Sequence, residues 1–545
     1  MNFSTIDIIV FSLYCALIIG IGLWVSRDKE GHQKNAEDYF LAGKSLPWWA
    51  IGASLIAANI SAEQIIGMSG SGFAIGLAIA SYEWMAAITL IIVGKYLLPI
   101  FIEKKLYTIP EFIEQRFNTT LKTILAVFWI ALFVFVNLTT VMFLGAKALD
   151  TIMGSGDGSM LIYALIGLAL IAAAYSLYGG LSAVAWTDVL QVGLLVLGGL
   201  VTTVIALYNV TPEGGILNGF AHLYDVAGDK FNMILDKSNP EFKNLPGIAV
   251  LIGGMWVANL YYWGFNQYII QRTLAAKSLK ESQKGIIFAA FLKLIIPLIV
   301  VIPGIIVYVL YTQPDGTAQI PGIISTFTNA DGSIEYDNAY PWLIKVFLSP
   351  GFKGLVVAAL AAAIVSSLAS MLNSVATIFT MDIYRPYINR NATDKQTVNM
   401  GRISASVALI IAVFLAPQLQ SVPQVFQYIQ EYTGLVSPGI LAVFVMGLFW
   451  EKTTTKGAIY GILGSIVVAL LLKVPALGLP FLDQMFYTLI LTIVIIADVS
   501  LTTNPDYEDP KAIQTTAKLF KTDSAFNIGA YTILILVAFL YAIFW

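Results

Sequence analysis

An otherwise apolar segment that begins at Trp48 is interrupted by the run Ser54-Leu55-Ile56-Ala57-Ala58-Asn59-Ile60-Ser61-Ala62-Glu63-Gln64, followed by Gly67-Met68-Ser69-Gly70. Polar side chains and glycines collect here about halfway along a stretch long enough to cross a bilayer. A continuous helix facing lipid would not tolerate them. An unwound segment lining a watery site would, because its freed carbonyls can bind a cation or a solute. The sequence therefore predicts a broken membrane helix.

A second segment of the same character lies five spans later. It contains Gly253-Gly254 and then Asn259-Leu260-Tyr261-Tyr262-Trp263-Gly264-Phe265-Asn266-Gln267. Interrupted helices at corresponding positions of two halves indicate a transport site built on inverted repeats. The alternative is that the glycines only let neighbouring helices pack closely. We favour the transport site.

The composition places most of the chain in lipid. Of 545 residues, 58% are hydrophobic and 12% are charged, and the mean hydropathy is +0.79. Soluble domains carry about a quarter charged residues. A net charge of −3 provides no basic field, so nucleic acid is excluded as a partner. The single cysteine, Cys15, excludes an intramolecular disulfide and a cysteine-based metal cluster.

Apolar runs of membrane-spanning length recur along the whole chain and predict an all-α integral membrane protein with about fourteen transmembrane helices. The predicted spans are 6–25, 48–71, 77–101, 122–147, 159–177, 184–208, 247–268, 285–311, 354–381, 400–416, 425–449, 457–473, 483–502 and 526–545. The predicted organisation is an extra helix with an inside loop (1–47), a first five-helix repeat (48–208), an outside loop (209–246), a second five-helix repeat (247–449, with the outside loop 312–353) and three final helices (450–545).

The distribution of lysine and arginine sets the orientation. With the N-terminus outside, the inside loops carry most of the chain's 30 basic residues. This positive-inside pattern predicts that both termini lie outside. No loop is long enough for a catalytic domain. Gly43-Lys44-Ser45 imitates the end of a phosphate loop, but the motif's first glycine is missing, since Asp38 stands there, and no strand precedes it.

Two ionisable residues stand inside predicted spans. Glu83 and Lys293 lie about 9–12 Å deep by helical rise. Burying either charge in the bilayer without a partner would raise the free energy of membrane insertion by at least ~2.5 kcal/mol. We expect them to neutralise each other across a cavity in which both could hold hydroxyl groups. A purely structural ion pair is the alternative.

Paired hydroxyls occur in the ninth span, within Ala361-Ala362-Ala363-Ile364-Val365-Ser366-Ser367. Small residues let helices pack closely, and this accounts for the run as well as a sodium site does. Asp188, near the inner end of its span, could attract a cation to the inner mouth or cap the helix.

Two further stretches carry a family resemblance. They are Tyr175-Ser176-Leu177-Tyr178-Gly179-Gly180-Leu181 with Ala185-Trp186-Thr187-Asp188, and Tyr107-Thr108-Ile109-Pro110-Glu111-Phe112. Both resemble signatures of the sodium:solute symporter family. The likeness to its bacterial sugar-carrying members covers essentially the whole chain, including Ser54 to Gly70, Asn259 to Thr273 and Phe426 to Gly439.

The resemblance implies a leucine-transporter-type core of five plus five inverted helices, and sodium-driven uptake of galactose or glucose across the bacterial inner membrane. It implies no enzymatic activity, no cofactor beyond sodium as co-substrate and no obligatory protein partner. The implied sugar-binding residues are Gln64, Glu83, Asn259, Lys293 and Gln430. The implied gates are Tyr262 toward the cytoplasm and Met68, Tyr82 and Phe426 toward the outside. The implied sodium ligands are the carbonyls of Ala57, Ile60 and Ala363 and the hydroxyls of Ser366 and Ser367, with Asp188 assisting sodium release.

Other functions remain as alternatives. A symporter of the same family could carry proline, pantothenate or sialic acid, although a carboxylate substrate would need positive charge that Glu83 does not offset. A channel would more naturally repeat a pore motif, and a membrane sensor would carry a soluble output domain. A membrane enzyme would need a nucleophile, base or metal constellation within the spans. None of these features is visible in the sequence.

Overall fold

The computed structural model describes residues 3–25, 27, 35–154, 158–312, 323–328, 332–422, 425–503 and 510–545. Within these ranges the chain is helical, and β-pairing is limited to two isolated bridges. The principal helices are α1 (Thr5–Val25), α2 (Trp48–Asn59), α3 (Glu63–Ala74), α4 (Leu77–Glu103), α5 (Ile109–Arg116), α6 (Thr119–Met153), α7 (Leu161–Asn209), α8 (Ile216–Ala227), α9 (Gly254–Leu260), α10 (Gln267–Leu274), α11 (Leu279–Thr312), α12 (Ala339–Phe347), α13 (Phe352–Ile388), α14 (Asp394–Gln420), α15 (Val425–Phe449), α16 (Thr455–Leu472), α17 (Phe481–Thr503) and α18 (Ser524–Ile543).

The predicted fold class is confirmed. Among the described residues, 11 helices are long and apolar enough to cross a membrane, and the bent pair α2–α3 makes a twelfth span. The two other predicted spans correspond to the shorter apolar helix Leu161–Ala174 and to the interrupted segment around α9. The helices of the described residues therefore match the predicted spans.

The first broken helix is interrupted over a shorter stretch than the sequence suggests. Helix α2 ends at Asn59, and Ile60 has the non-helical dihedrals φ −76°, ψ 83°. Helix α3 begins at Glu63 and is bent by 59° from α2. Gly67, Gly70 and Gly72 are helical, so the expectation that this part of the glycine-rich segment is unwound was wrong. They allow close packing instead: a Cβ at Gly72 would lie 2.6 Å from the Val301 carbonyl oxygen.

The second broken segment is interrupted twice. Gly253 (φ −121°, ψ −125°) separates a short turn, Ala249–Ile252, from α9. Asn266 (φ −87°, ψ 120°) separates the turn Tyr261–Phe265 from α10. Within the polar run at 259–267 the backbone leaves the helical conformation only at Asn266, so this break is shorter than the sequence suggests.

The spans pack as two groups. One contains α2, α3, α4, α9 and α11, with α11 lying against both halves of the first broken helix. The other contains α6, α7, α13 and α14, with α7 and α13 in extensive contact. Helix α7 is kinked at Gly180 (φ +63°), where a Cβ would lie 2.3 Å from the Tyr39 carbonyl oxygen, so only glycine fits. The first break contacts the second group through the hydrogen bond from Ser367 on α13 to the Ala58 carbonyl.

The predicted outside connections contain short helices, as expected. They include α8, α12 and the single turns Gly228–Phe231, Pro240–Lys243, Ile323–Phe327 and Tyr336–Asn338. The turn Tyr336–Asn338 packs against α3. This turn and α12, which also contacts α3, therefore form an outer cover over the second half of the first broken helix.

Candidate functional site

A cavity lies where the two broken helices, α4, α6, α11 and α15 meet. It holds about 60 Å³ that the centre of a water molecule can reach. All nine residues predicted to bind sugar or to form gates line it, namely Gln64, Met68, Tyr82, Glu83, Asn259, Tyr262, Lys293, Phe426 and Gln430. Residues that are up to 366 positions apart in sequence therefore share one enclosed space.

The two intramembrane charges meet in this cavity. Lys293 Nζ lies 2.5 Å from Glu83 Oε2, and the two side chains are 1% and 2% exposed. The ammonium group also donates to the Asn59 side-chain oxygen and lies 5.1 Å from the centre of the Trp263 ring. The charges neutralise each other, as expected, so the cavity presents a donor and an acceptor without a net charge from this pair.

The inner side of the cavity is closed by tyrosines. The Asn59 amide donates to the Tyr262 hydroxyl over 3.0 Å, and the Tyr268 hydroxyl donates to the same oxygen over 2.5 Å. The Tyr262 and Tyr268 rings are 5.8 Å apart and nearly perpendicular. Tyr262 is thus held by α2 on one side and by α10 on the other.

The outer side is closed by an aromatic pair. The Tyr82 and Phe426 ring centroids are 5.5 Å apart at 84°. A Cβ at Gly67 would lie 2.9 Å from Phe426 Cβ, so α3 and α15 touch at this point. Met68 is fully buried beside them. Solute from outside could enter only if these elements separated.

Several buried polar atoms that line the cavity have no hydrogen-bond partner within the described part of the chain. They are the hydroxyls of Tyr82, Thr433 and Ser437 and the side-chain oxygens of Asn137 and Asn266. Buried polar groups are nearly always hydrogen-bonded, so each such group requires an explanation. A ligand rich in hydroxyl groups would satisfy these atoms.

Two of the predicted sodium ligands, Ala57 and Ile60, lie at the break in the first helix, and a third, Ser367, reaches it from α13. The Ser367 hydroxyl on α13 donates to the Ala58 carbonyl oxygen over 2.9 Å, which places it between Ala57 and Ile60. All five predicted ligands are at most 1% exposed. Carbonyl and hydroxyl oxygens from two helices are neutral, hard donors of the kind that suits a small cation.

Asp188 lies deeper than the sequence suggests. It is fully buried within α7 and accepts hydrogen bonds from the hydroxyls of Ser54 and Ser366. Arg272 Nη2 lies 3.6 Å from its carboxylate. The helix-cap alternative is wrong, because Asp188 lies inside α7, well beyond the kink at Gly180. Asp188 instead ties Ser366, a predicted sodium ligand, to α2 and α10.

Sequence reasoning assigned no role to several lining residues. Asn59 and Glu63 lie in the polar run from Ser54 to Gln64, and their polarity inside a membrane span could have indicated that they line the cavity. Asn137 is a single amide in an apolar span, and Thr433 and Ser437 are one turn apart on α15. Their direction toward the cavity depends on how α6 and α15 are rotated, which no local pattern specifies.

A hydrogen-bond network around the start of α5 joins α10 to α13. The Gln267 side chain accepts from the Ile109 amide over 2.8 Å and donates to the Tyr107 carbonyl over 3.2 Å. Thr108 donates to Asp382 on α13 over 3.2 Å. The start of α5 therefore binds α10 and α13 at once, and it keeps the inner ends of the two groups together.

On the predicted outer side, Asp337 joins separate helices, as the start of α5 does on the opposite side. Its carboxylate accepts from the Val425 amide over 3.4 Å, and a Cβ at Gly70 would lie 2.8 Å from its Oδ1. Burial raises the pKa of Asp337 to about 6, although Lys147 and the Val425 amide act in the opposite direction and Glu335 adds to the rise. Asp337 thus links the outer cover to α3 and α15.

Comparison with known proteins agrees with this architecture. The model of the sodium:solute symporter family matches residues 39–464. The sodium/glucose cotransporter of Vibrio parahaemolyticus is 64% identical over 542 residues, covering 99% of this chain and 98% of that protein. The human sodium/myo-inositol cotransporter 2 is 33% identical, covering 85% of this chain and 69% of that protein.

Solved structures share the fold at low identity. A sodium-coupled sialic acid symporter in a substrate-bound outward-open state superposes with a TM-score of 0.79 at 24% identity, covering 94% of this chain and 100% of that one. The nucleobase-cation-symport-1 family transporter Mhp1 in a closed conformation superposes with a TM-score of 0.52 at 16% identity, covering 88% of this chain and 98% of that one. These likenesses concern the helical architecture alone.

Proposed function

Because this chain belongs to the sodium:solute symporter family, we propose that it imports a neutral monosaccharide, glucose or galactose, together with sodium by alternating access. The observation that carries the proposal is the single cavity in which all nine predicted sugar and gate residues converge. The related protein from Vibrio parahaemolyticus, which bears the name sodium/glucose cotransporter, supports the choice of sugar.

The cavity suits a sugar chemically. A pyranose presents hydroxyls that need donors and acceptors together, and the amides of Gln64, Asn259 and Gln430 supply both. The Lys293–Glu83 pair adds one strong donor and one strong acceptor. The apolar face of a sugar ring would stack on Tyr262. The pair's neutrality argues against a carboxylate substrate.

Coupling follows from the contacts of the broken segment. We assign sodium to the carbonyls of Ala57, Ile60 and Ala363 and the hydroxyls of Ser366 and Ser367. A cation there would hold the end of α2 against α13, next to the existing Ser367–Ala58 bond. Asn59, on the same stretch, binds both Tyr262 and Lys293. Loss of sodium would therefore loosen the inner gate and the sugar site together.

Thermodynamically, sodium drives transport only if it binds the outward-facing, assembled state more tightly than the inward-facing one. We assign Asp188 to the release step, since it holds Ser366 through a hydrogen bond and can reorient that hydroxyl. We further propose a bacterial inner-membrane location with both termini periplasmic. Sodium is a co-substrate in this scheme, and neither a cofactor, an enzymatic step nor an obligatory protein partner is invoked.

The decisive experiment is uptake of labelled glucose and galactose into proteoliposomes, with an inward sodium gradient, with equal sodium on both sides and with potassium replacing sodium. We expect accumulation only under the inward sodium gradient. Uptake that is indifferent to sodium would refute the mechanism.

A solute panel tests the alternatives within the family. Because a relative at 33% identity is named for myo-inositol, that cyclic polyol belongs in the panel with proline, pantothenate and sialic acid. Each is added unlabelled as a competitor of glucose uptake. We expect competition from sugars and none from the three charged or zwitterionic solutes. Uptake of one of those three without sugar uptake would overturn the substrate assignment.

A further inference from the structure

An apolar groove lies on the surface of the helix bundle, away from the sugar cavity. It is lined by Trp48, Ile287, Phe288, Phe291, Ala525 and Phe526, with one polar residue, Lys284. Its volume is about 280 Å³, and it is open along one side. Trp48 begins α2, Lys284 lies in the second turn of α11, and Ala525 is the second residue of α18. Three helices therefore start around this groove.

The groove is charged at one end only. Lys284 is half-buried, and no acidic side chain within the described ranges forms an ion pair with it. The nearby carboxylates are engaged elsewhere. Glu281 accepts from the Trp48 amide over 2.8 Å, and Asp523 accepts from the Phe526 amide over 2.8 Å. The Lys284 ammonium is thus left at the mouth of an otherwise apolar surface.

The position corresponds to a membrane interface. The positive-inside pattern places the starts of α2, α11 and α18 on the cytoplasmic side. Tryptophan is enriched at headgroup depth, and Trp48 is 39% exposed there. The N-termini of the three helices add partial positive charge. The apolar lining below faces the depth of acyl chains.

We propose that this groove binds one anionic phospholipid, with its phosphodiester at Lys284 and an acyl chain against Phe288, Phe291 and Phe526. The bound lipid contacts α2, α11 and α18 together. Helix α2 carries the proposed sodium ligand Ala57, and α11 carries Lys293. A lipid in the groove therefore stabilises the packing of α2 and α11, on which the proposed sodium and sugar sites depend, without entering either site.

Direct binding provides the test. The delipidated protein, without sodium or sugar, is titrated with phosphatidylglycerol or phosphatidylcholine and examined by native mass spectrometry. We expect one phosphatidylglycerol to bind in preference to phosphatidylcholine. Lys284→Gln should reduce that preference about fivefold, as expected for one lysine at a membrane surface. The matched control Lys280→Gln removes an exposed charge one helical turn away and should change it little.

A bulky substitution tests the contribution of the apolar lining separately from that of the Lys284 charge. Ala525→Trp fills the apolar lining and leaves Lys284 in place, so it should also abolish the bound phosphatidylglycerol. Equal lipid binding by wild type, Lys284→Gln and Ala525→Trp would show that only non-specific annular lipid is present and would overturn the proposal. Displacement of the lipid by millimolar inorganic phosphate would overturn it as well, because the groove would then be a simple anion site. Neither readout depends on transport, so failure of the proposed function would not affect this test.

Discussion

The side-chain amide of Asn59 donates to the hydroxyl of Tyr262 across 3.0 Å, and this one bond connects the break in the first membrane helix to the inner gate of the cavity. The carbonyl oxygen of the same amide accepts from Lys293. A single side chain thus contacts the proposed gate and the proposed sugar site, and it stands between two proposed sodium ligands, Ala57 and Ile60.

Breaking this bond should uncouple the two solutes. Tyr262→Phe removes the hydroxyl and keeps the ring, so we expect the sugar to bind while sodium-driven accumulation falls several-fold. Asn59→Ala should reduce accumulation further, because it also removes the Lys293 acceptor. The ratio of gradient-driven uptake to equilibrium exchange measures the effect. Strictly additive losses in the double variant would contradict a shared bond, since interacting residues give non-additive effects.

The Lys293–Glu83 pair should have separable structural and binding roles. Lys293→Met leaves a buried carboxylate without its partner, which destabilises a protein by about 3–5 kcal/mol. The double variant Lys293→Met, Glu83→Gln removes both charges and should recover most of the melting temperature. It should still fail to accumulate sugar. Recovery of uptake in the double variant would show that the pair is structural only.

Ser367→Ala should act on sodium rather than on sugar. The change removes one proposed sodium ligand and the bond to the Ala58 carbonyl. We expect the sodium concentration for half-maximal uptake to rise at least tenfold, with near-normal sugar affinity at saturating sodium. Ser404→Ala on α14 serves as the control, since that hydroxyl donates only to the Gly401 carbonyl of its own helix. An unchanged sodium dependence would remove Ser367 from the site.

Ser437→Ala should weaken sugar binding without lowering stability. Its hydroxyl is buried, lines the cavity and lacks a partner among the described residues, so no internal hydrogen bond is lost. One lost bond to the sugar, worth about 0.5–1.5 kcal/mol, would reduce affinity roughly two- to tenfold. The control is Ser465→Ala, a buried serine that donates to the Ile462 carbonyl outside the cavity. Isothermal titration with glucose and thermal melting together distinguish the two variants.

The raised pKa of Asp337 predicts that the rate of uptake depends on external pH. Its pKa is raised from 3.8 to about 6 by burial in the closed outer cover. A group with a raised pKa binds protons more tightly in the closed state, so closure is favoured as pH falls through 6 and is weakened as pH rises above it. At pH 5 the closed cover should be favoured about tenfold more than at pH 8. We therefore expect initial uptake to slow below external pH 6.

Asp337→Asn tests this directly. The amide cannot ionise, so the inflection near pH 6 should disappear and uptake should remain nearly constant between pH 5 and 8. Glu335→Gln changes the neighbouring carboxylate, which pairs with Lys147 at 3.1 Å, and should keep an inflection. An inflection that survives in Asp337→Asn would assign it to another group. Equal pH on both sides of the vesicle excludes an effect of a proton gradient.

Much of the fold could be predicted from the chain because the bilayer restricts the alternatives. Every backbone group in hydrocarbon must be satisfied internally, so a long apolar run has to be a helix, and a polar interruption stands out. This is why the fourteen spans and the two breaks were predictable. The extent of each break was not predictable. In the sequence, Gly67, Gly70 and Gly72 suggest an unwound segment, yet they lie in a helix that other backbones approach closely.

The sequence alone determined that charges and amides had to be buried in spans, and the resemblance assigned roles to many of them. The residues alone already suggested that Glu83 and Lys293 would pair, but only the tertiary structure showed that Asn59 meets Tyr262 and that Ser366 meets Asp188. It also decided that Asn137, Thr433 and Ser437 face the cavity. The physical reason is that hydropathy depends on residue type along the chain, whereas hydrogen bonds act over about 3 Å and depend on how each helix is rotated and placed against its neighbours.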